Sequence, residues 1–543
     1  MKQIKNIGLI FIGSLLFISC NKQIQEKQTD PNNPTSVPPG LVLGTVLLDM
    51  SGVGSNGSLG GINSWSSVHA WNQYHCQNYD YYGNNIYSWT SGSFDPYLVL
   101  KNVEQMEKEA NSRGAAAVNP YEAVGRFIRA YYYYNLTSLF GDVPQAQALE
   151  AVANSKPAYT PQEQVFAYIL NQLDTANTHL TTLITANDNS LSSSQDLYYQ
   201  GDITKWQKLV NSFKLRVLID LSSKTSDATL NVAAQFANMI NNPSKYPIFA
   251  GPEDDWQLNY NPGGSNTFTT SAFNPSNFGS IAARYNMAAT YVSALTTTSD
   301  PRVFITTEPA WALAKTDPNP CQFKYFAGAS TGEPLSTMYG NANAGIYSFI
   351  NRNRYYSTFT GDPDVLAGYK EMTFNIAEAI ARGWVAGKTL ADAEIWYKAG
   401  ITASMAFYGI DITKTSFTTY FLPPGNSSVT EVVAYPFTFN FATYYAQPSI
   451  QLSTTASTAI GQIVMQKYIA MFENSGYEGY YNYRRTGVPA FQSGSGVGNN
   501  GIIPKRWSYP VSEQTQNKTN WNAALTAQAF TGDDLNQTMW LLK

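Results

Sequence analysis

Between Ser64 and Tyr97 the chain reads SWSSVHAWNQYHCQNYDYYGNNIYSWTSGSFDPY, dense in flat rings and nearly free of charge. Trp65, Trp71, Tyr74, Tyr81, Tyr82 and Trp89 stand among Asn, Ser and Gly, with Asn84 and Asn85 beside them. A ring laid against the C–H face of a pyranose holds a neutral ligand that charge cannot attract, and side-chain amides read its hydroxyls. These rings follow neither a helical nor an alternating period, so the spacing predicts that the core does not absorb them all. The other use of any one ring is to wedge this segment against the rest of the molecule. A second patch, INRNRYYS, joins Arg352, Asn353 and Arg354 to Tyr355 and Tyr356, and Trp311 in EPAWALAK is a lone ring in the same region. There the arginines have an equal structural use, bonding loop carbonyls.

Other chemistries find less support. His69, His75 and Cys76 are soft-metal ligand types, but a zinc site wants three or four ligands at recognisable spacing and no second cluster exists, so no metal is expected. GPEDDW and GDPD carry carboxylates without a calcium-loop pattern and are expected to be solvated turns. The chain lacks a phosphate-cradling glycine loop and His-Glu-x-x-His; no catalytic residue and no cofactor is expected. A pair of acids for glycoside hydrolysis can lie anywhere in a sequence, and nothing marks one here. Arg484 and Arg485 in YNYRRTGVP are expected to fix a helix end through buried carboxylates or the last carbonyls. A net charge of −4 gives no electrostatic case for nucleic acid. With 13 % charged and 14 % aromatic residues, the surface suits neutral polar matter.

The elements that must position these residues are mostly helical. A basic start and the apolar run from Ile7 to Ile18, too short to span a bilayer, precede Cys20 as in a secretory signal. LFISC resembles a bacterial lipobox, which makes Cys20 the lipidation candidate, and the polar, Pro-rich stretch after it is expected to be a tether. Thr160-Pro161 with Glu163 predicts a capped helix burying Phe166, Ile169, Leu170, Leu173 and Leu180, and Asp202 caps another through Trp206, Leu209, Val210, Phe213 and Val217. Asp95 before Pro96 marks a third start. A helix pair turning at Gly387 is predicted to stack Phe374, Ala377, Ala381 and Trp384 against Trp396, Ala399, Ala403 and Ala406, the small-against-large pattern of a tetratricopeptide unit; 121–139 with 160–183 is a similar pair. From about 246 to 369 the chain is rich in Gly, Pro, Asn, Ser and Thr and shows no helical period, as functional loops do. Cys76 and Cys321 could pair outside the cytoplasm, which sequence cannot show.

Several blocks, in order, resemble one family. YEAVGRFIRAYYYYNLTSLFGDVPQAQALE, WQKLVNSFKLRVLIDLS, the DPR at 300–302, EMTFNIAEAIARGW, QKYIAMFENSGYEGYYNYRRTGVP and PKRWSYPVSEQTQN are similar to SusD/RagB proteins, the SusD-like outer-membrane lipoproteins. The resemblance implies a mainly α fold: a tetratricopeptide-based, right-handed helical superhelix with long irregular loops and a few short strands. It implies a signal peptide at 1–19, a lipidated cysteine and tether at 20–39, and one SusD-like domain at 40–543. Within that domain, helical repeats would occupy about 95–240 and 370–485, with a loop-rich ligand-side region at about 246–369. It further implies a non-catalytic, lipid-anchored, cell-surface protein that captures oligosaccharides, or in some members peptides, for a SusC-like TonB-dependent transporter. A surface glycoside hydrolase is the reading from another class. The tether carries only Glu26 and Asp30 as acids, fewer than an acidic export signal would supply. The expected glycan-binding residues are Trp65, Trp71, Tyr74, Tyr81, Tyr82, Asn84, Trp89, Trp311, Arg354 and Tyr355.

Overall fold

The computed structural model describes residues 36–52, 65–81, 83–150, 153–261, 271, 273–279 and 282–543. Cys20, the signal, most of the tether and Tyr82 lie outside the described residues. The longer helices are α1 (Pro39–Met50), α2 (Pro96–Ser112), α3 (Pro120–Phe140), α4 (Gln162–Thr185), α5 (Ile203–Asp220) and α6 (Val232–Asn241). They continue as α7 (Leu335–Asn343), α8 (Tyr369–Ala381), α9 (Leu390–Phe407), α10 (Ala456–Ala470), α11 (Glu478–Thr486) and α12 (Lys518–Ala527). The strands β1 (His75–Gln77), β2 (Trp256–Leu258), β3 (Tyr285–Met287), β4 (Asp364–Ala367), β5 (Ser416–Phe421) and β6 (Val433–Thr438) pair antiparallel as β1–β3, β2–β4 and β5–β6. Among the described residues no helix is long and apolar enough to cross a membrane.

Local sequence explains some of the helix starts. Asn119 Oδ1 accepts from Glu122 N at 3.1 Å, with Pro120 in the first turn of α3. Asp202 Oδ1 does the same for Thr204 N at 2.9 Å in α5. Helix α4 departs from expectation: it starts at Gln162, and Thr160 does not cap it. Thr160 instead bridges Val143 through the backbone and accepts from Ala146 N, because closing the loop after α3 leaves those groups otherwise unpaired. Asp95 likewise precedes α2 without a side-chain cap.

α3 packs along α4, and α8 along α9, as two helical hairpins; α8 also contacts α5 and α10 and so joins the two sets of repeats. The buried face of α9 is Ala393, Tyr397, Gly400, Ile401, Ser404 and Met405, not the predicted Trp396, Ala399, Ala403 and Ala406. Gly400 decides this rotation. A Cβ there would stand 2.6 Å from the Phe374 ring, so only glycine lets α9 approach α8 so closely. Buried ion pairs lock the assembly. Arg216 of α5 forks onto Glu371 of α8, and the DPR residues Asp300 and Arg302, both fully buried, pair at 2.6 Å while Tyr444, Ser404 and Gln466 satisfy their remaining atoms. Arg485 forks onto the buried Glu378 as expected, whereas Arg484 Nη1 donates to Lys505 O at 2.9 Å, in a later segment rather than among the last carbonyls of α11. Burial alone would raise Glu378, but Arg485 holds its carboxyl down at about 2.

Candidate functional site

Most of the ring-rich run points inward. Trp89 and Tyr74 are fully buried, and Trp65, Trp71 and Tyr355 nearly so. Trp89 stacks on Trp507 at 5.6 Å and meets Trp71 edge-on at 5.3 Å; Trp71 Nε1 donates to Ile86 O at 3.1 Å. Tyr74 stacks on Tyr468 at 4.6 Å, and its hydroxyl donates to Tyr468 O at 2.9 Å. Trp65 sits among His75, Phe273, Tyr285, Phe472 and the edge of Tyr355, and its backbone N–H donates to Glu473 at 2.6 Å. These five residues therefore do not display a face to solvent, which corrects their expected place among the glycan-binding residues. This core is built of rings packed on one another, with the polar tips of Trp71 and Tyr74 reaching backbone carbonyls, so it needs no aliphatic period. The amides between them serve the loops: Asn72 Nδ2 donates to Gly476 O and Gln73 Nε2 to Gln492 O. Burial pushes the Tyr74 and Tyr355 phenols well up, as it must for groups that never ionise in place.

The second patch is also engaged internally. Arg354 pairs with Asp362 at 2.9 Å, donates to Phe407 O and lies 4.9 Å over the Tyr408 ring. Arg352 forks onto Glu308, and Tyr356 is fully buried. Trp311 opens a single helical turn, Trp311–Ala314, and is half-buried against the main core.

His75 and Cys76 pair with Glu473 at 2.7 Å and with Ala329 O, respectively, and among the described residues no cluster of three or more His, Cys, Asp or Glu could hold a metal ion. Cys76 and Cys321 are separate buried thiols. Of the acidic turns, Asp254 binds Lys208, Asp255 accepts from Tyr369 N, and Asp364 bonds Tyr260. They are structural anchors rather than the solvated turns expected.

What the run does present is a tyrosine strip. After β1 the chain bulges outward from Asn78 to Asn85 and is drawn closed by Asn85, whose Oδ1 accepts from Gln77 N at 2.8 Å and whose Nδ2 donates to Gln77 O at 2.9 Å. That side-chain amide imitates a strand partner. At the top of the bulge Tyr81 is 81 % exposed and Tyr79 41 %. Tyr79 stacks on Tyr339 of α7, itself 44 % exposed, with centroids 5.3 Å apart and planes inclined by 22°; Tyr81 lies 6.5 Å from Tyr79. Asn84 is exposed beside them, its Oδ1 accepting from Ile86 N at 3.0 Å. Beneath, Asn85 reaches Met338, which packs with Cys76, Ala288 and Ala329 in a small separate cluster and fixes α7 against the bulge. Tyr347 donates to Glu333 at 2.9 Å and accepts from Asn341, the residue one position past Gly340 on α7. Tyr79 and Tyr339 were missed from sequence. Tyr79 lay inside the quoted run, whereas Tyr339 in STMYGNANAG carries no signal until the fold brings it across.

A family model described as starch-binding and associating with the outer membrane, SusD-like, matches residues 31–510. The chain belongs to the SusD-like family. Solved SusD-like structures agree. A SusD homologue from Bacteroides fragilis is 28 % identical, with 93 % of this chain and 100 % of that one aligned at a TM-score of 0.76. An outer-membrane protein of Bacteroides vulgatus described as involved in nutrient binding gives 28 %, 93 %, 100 % and 0.75. A chitin-binding SusD homologue from Flavobacterium johnsoniae, 19 % identical over 93 % of this chain and 98 % of that one, shares the fold at 0.66. No curated protein matches the chain. This SusD-like chain is thus a mainly helical, tetratricopeptide-type nutrient-binding protein of the outer-membrane class.

Proposed function

We propose that this SusD-like protein binds neutral oligosaccharides on the strip formed by Tyr79, Tyr81 and Tyr339 and passes them to a SusC-like TonB-dependent transporter, without cleaving them. The observation that carries the reading is the display of stacked phenol faces to water beside Asn84. Three large rings 41–81 % exposed on one patch are the kind of apolar surface that a ligand covers. Two stacked rings with a third beside them offer a shelf that a short stretch of sugar chain can lie along. The family's starch-binding description and the chitin bound by one relative are both neutral glycans, the chemistry such a shelf suits. Cys20 is the proposed lipid anchor, holding the protein at the outer membrane with its binding face outward. The test is titration calorimetry of the parent and the Tyr81→Ala variant against neutral oligosaccharides of several linkages, with product analysis of the same mixtures. Binding by the parent that the variant loses, with no cleavage products, supports the proposal; equal binding by both refutes the strip, and products refute the non-catalytic role.

A further inference from the structure

A buried acid cluster lies where α3, α5 and α11 meet, and nutrient binding does not use it. Tyr134 Oη on α3 is in hydrogen-bond contact with two carboxyl groups: Asp220 Oδ2 at the end of α5, and Glu478 Oε1, 2.7 Å away, at the start of α11. Tyr134 and Glu478 are 1 % exposed and Asp220 is 6 % exposed. A phenol has one hydrogen and can donate it to only one of the two. The other contact is a hydrogen bond only when the second carboxyl carries a proton and donates to the phenol oxygen. Two ionised carboxylates would otherwise face one oxygen in a medium where unpaired charge is costly.

The surroundings choose between the acids. Glu478 Oε2 has no hydrogen-bond partner within the protein. Its nearest cations, Arg216 Nε at 3.9 Å and Lys467 Nζ at 4.0 Å, are beyond bonding reach. Arg216 is engaged by Glu371 of α8, and Lys467 of α10 donates to Asn482. Asp220 differs, because it lines a cavity of about 70 Å³ with Ser138, Ser223, Tyr481, Arg484 and Arg485. Asp220 Oδ1, Tyr481 Oη, Arg484 Nε and Arg485 Nε all lack hydrogen-bond partners within the protein. The space has room for water beside Asp220. Arg485 Nε also stands 3.8 Å from Asp220 Oδ1, while its other nitrogens bind Glu378.

We propose that Asp220, Tyr134 and Glu478 form a buried proton-binding site that holds one exchangeable proton at neutral pH, carried on Glu478. Glu478 donates to Tyr134 Oη, and Tyr134 donates to the Asp220 carboxylate. On ionisation the proton passes along this chain to Asp220 and leaves through water in the cavity. Two carboxylates then share one hydroxyl, and α11 is held less firmly to α3 and α5. Burial, and after it the charge of Asp220, push the Glu478 carboxyl up to about 8.

The sign follows from linkage. An unfolded glutamate titrates near ~4.3, so between there and about 8 the folded chain binds the extra proton, and stability falls as pH rises through that window before levelling. The test compares the unfolding equilibria of the parent and Glu478→Gln, whose amide still donates to Tyr134. The ratio of their unfolding constants should rise about tenfold per pH unit up to about 7.5 and level above 8; a flat ratio overturns the proposal. Should the variant not fold, infrared spectra of the parent in D2O decide. The carbonyl band of an unionised acid should disappear with a midpoint near 8, above Asp142 at about 6 and Asp255 at about 7. No acid band titrating above 7 overturns it equally.

Discussion

Replacing Tyr81 by alanine separates ligand binding from folding more sharply than any other single change. The ring is 81 % exposed, so its loss removes almost no packing, and the folded state should change by no more than about 0.5 kcal/mol. A tyrosine buries about 150–250 Å² when fully enclosed, so one face laid on a sugar covers about a third of that, ~60 Å². At ~25 cal/mol per Å² this is ~1.5 kcal/mol, or about a tenfold weaker Kd. The comparison is Trp89→Ala. That ring is fully buried between Trp71, Trp507 and Tyr480, and its removal should cost about 3–5 kcal/mol of stability. Calorimetry against a saccharide that the parent binds, with denaturant unfolding of each variant, measures both quantities. The reasoning is refuted if Tyr81→Ala binds as tightly as the parent, or if Trp89→Ala folds as stably as the parent and loses the ligand.

Further outcomes follow from the framework. Asp300→Asn leaves Arg302 buried without its counter-charge and should cost about 3–5 kcal/mol in chemical denaturation, with saccharide affinity unchanged at temperatures where the variant is folded. Gly400→Val drives a side chain into the Phe374 ring and should destabilise by about 1–3 kcal/mol, seen as a lowered Tm. Glu378 contributes stability that is complete above an unfolded value near ~4.3 and lost as pH falls toward about 2. Melting curves from pH 5 downward should therefore fall less steeply in Glu378→Gln than in the parent. In a chain beginning after Cys20, a thiol reagent should find two thiols on unfolding and almost none in the native protein. Burial keeps Cys76 protonated and pushes Cys321 up to about 12.

Sequence alone determined the features that depend on near neighbours along the chain. Asp202 is placed beside the N–H groups it caps by two or three residues of backbone, so the start of α5 was legible. The paired helices and the order of family blocks were legible for a similar reason, since apolar spacing and local motifs survive without knowledge of distant contacts. Only the tertiary structure decided which rings face water. A ring among asparagines looks exposed until a partner from several hundred residues away closes over it, as Trp507 does over Trp89, Tyr468 over Tyr74 and Phe472 over Trp65. The same holds for Tyr339, which belongs to the candidate site only because Asn85 and Met338 seat α7 against the bulge after β1. The rotation of α9 was set by Gly400 meeting Phe374, a contact between helices that no period within one helix encodes. Burial is a property of pairs of segments, and a single segment does not contain it.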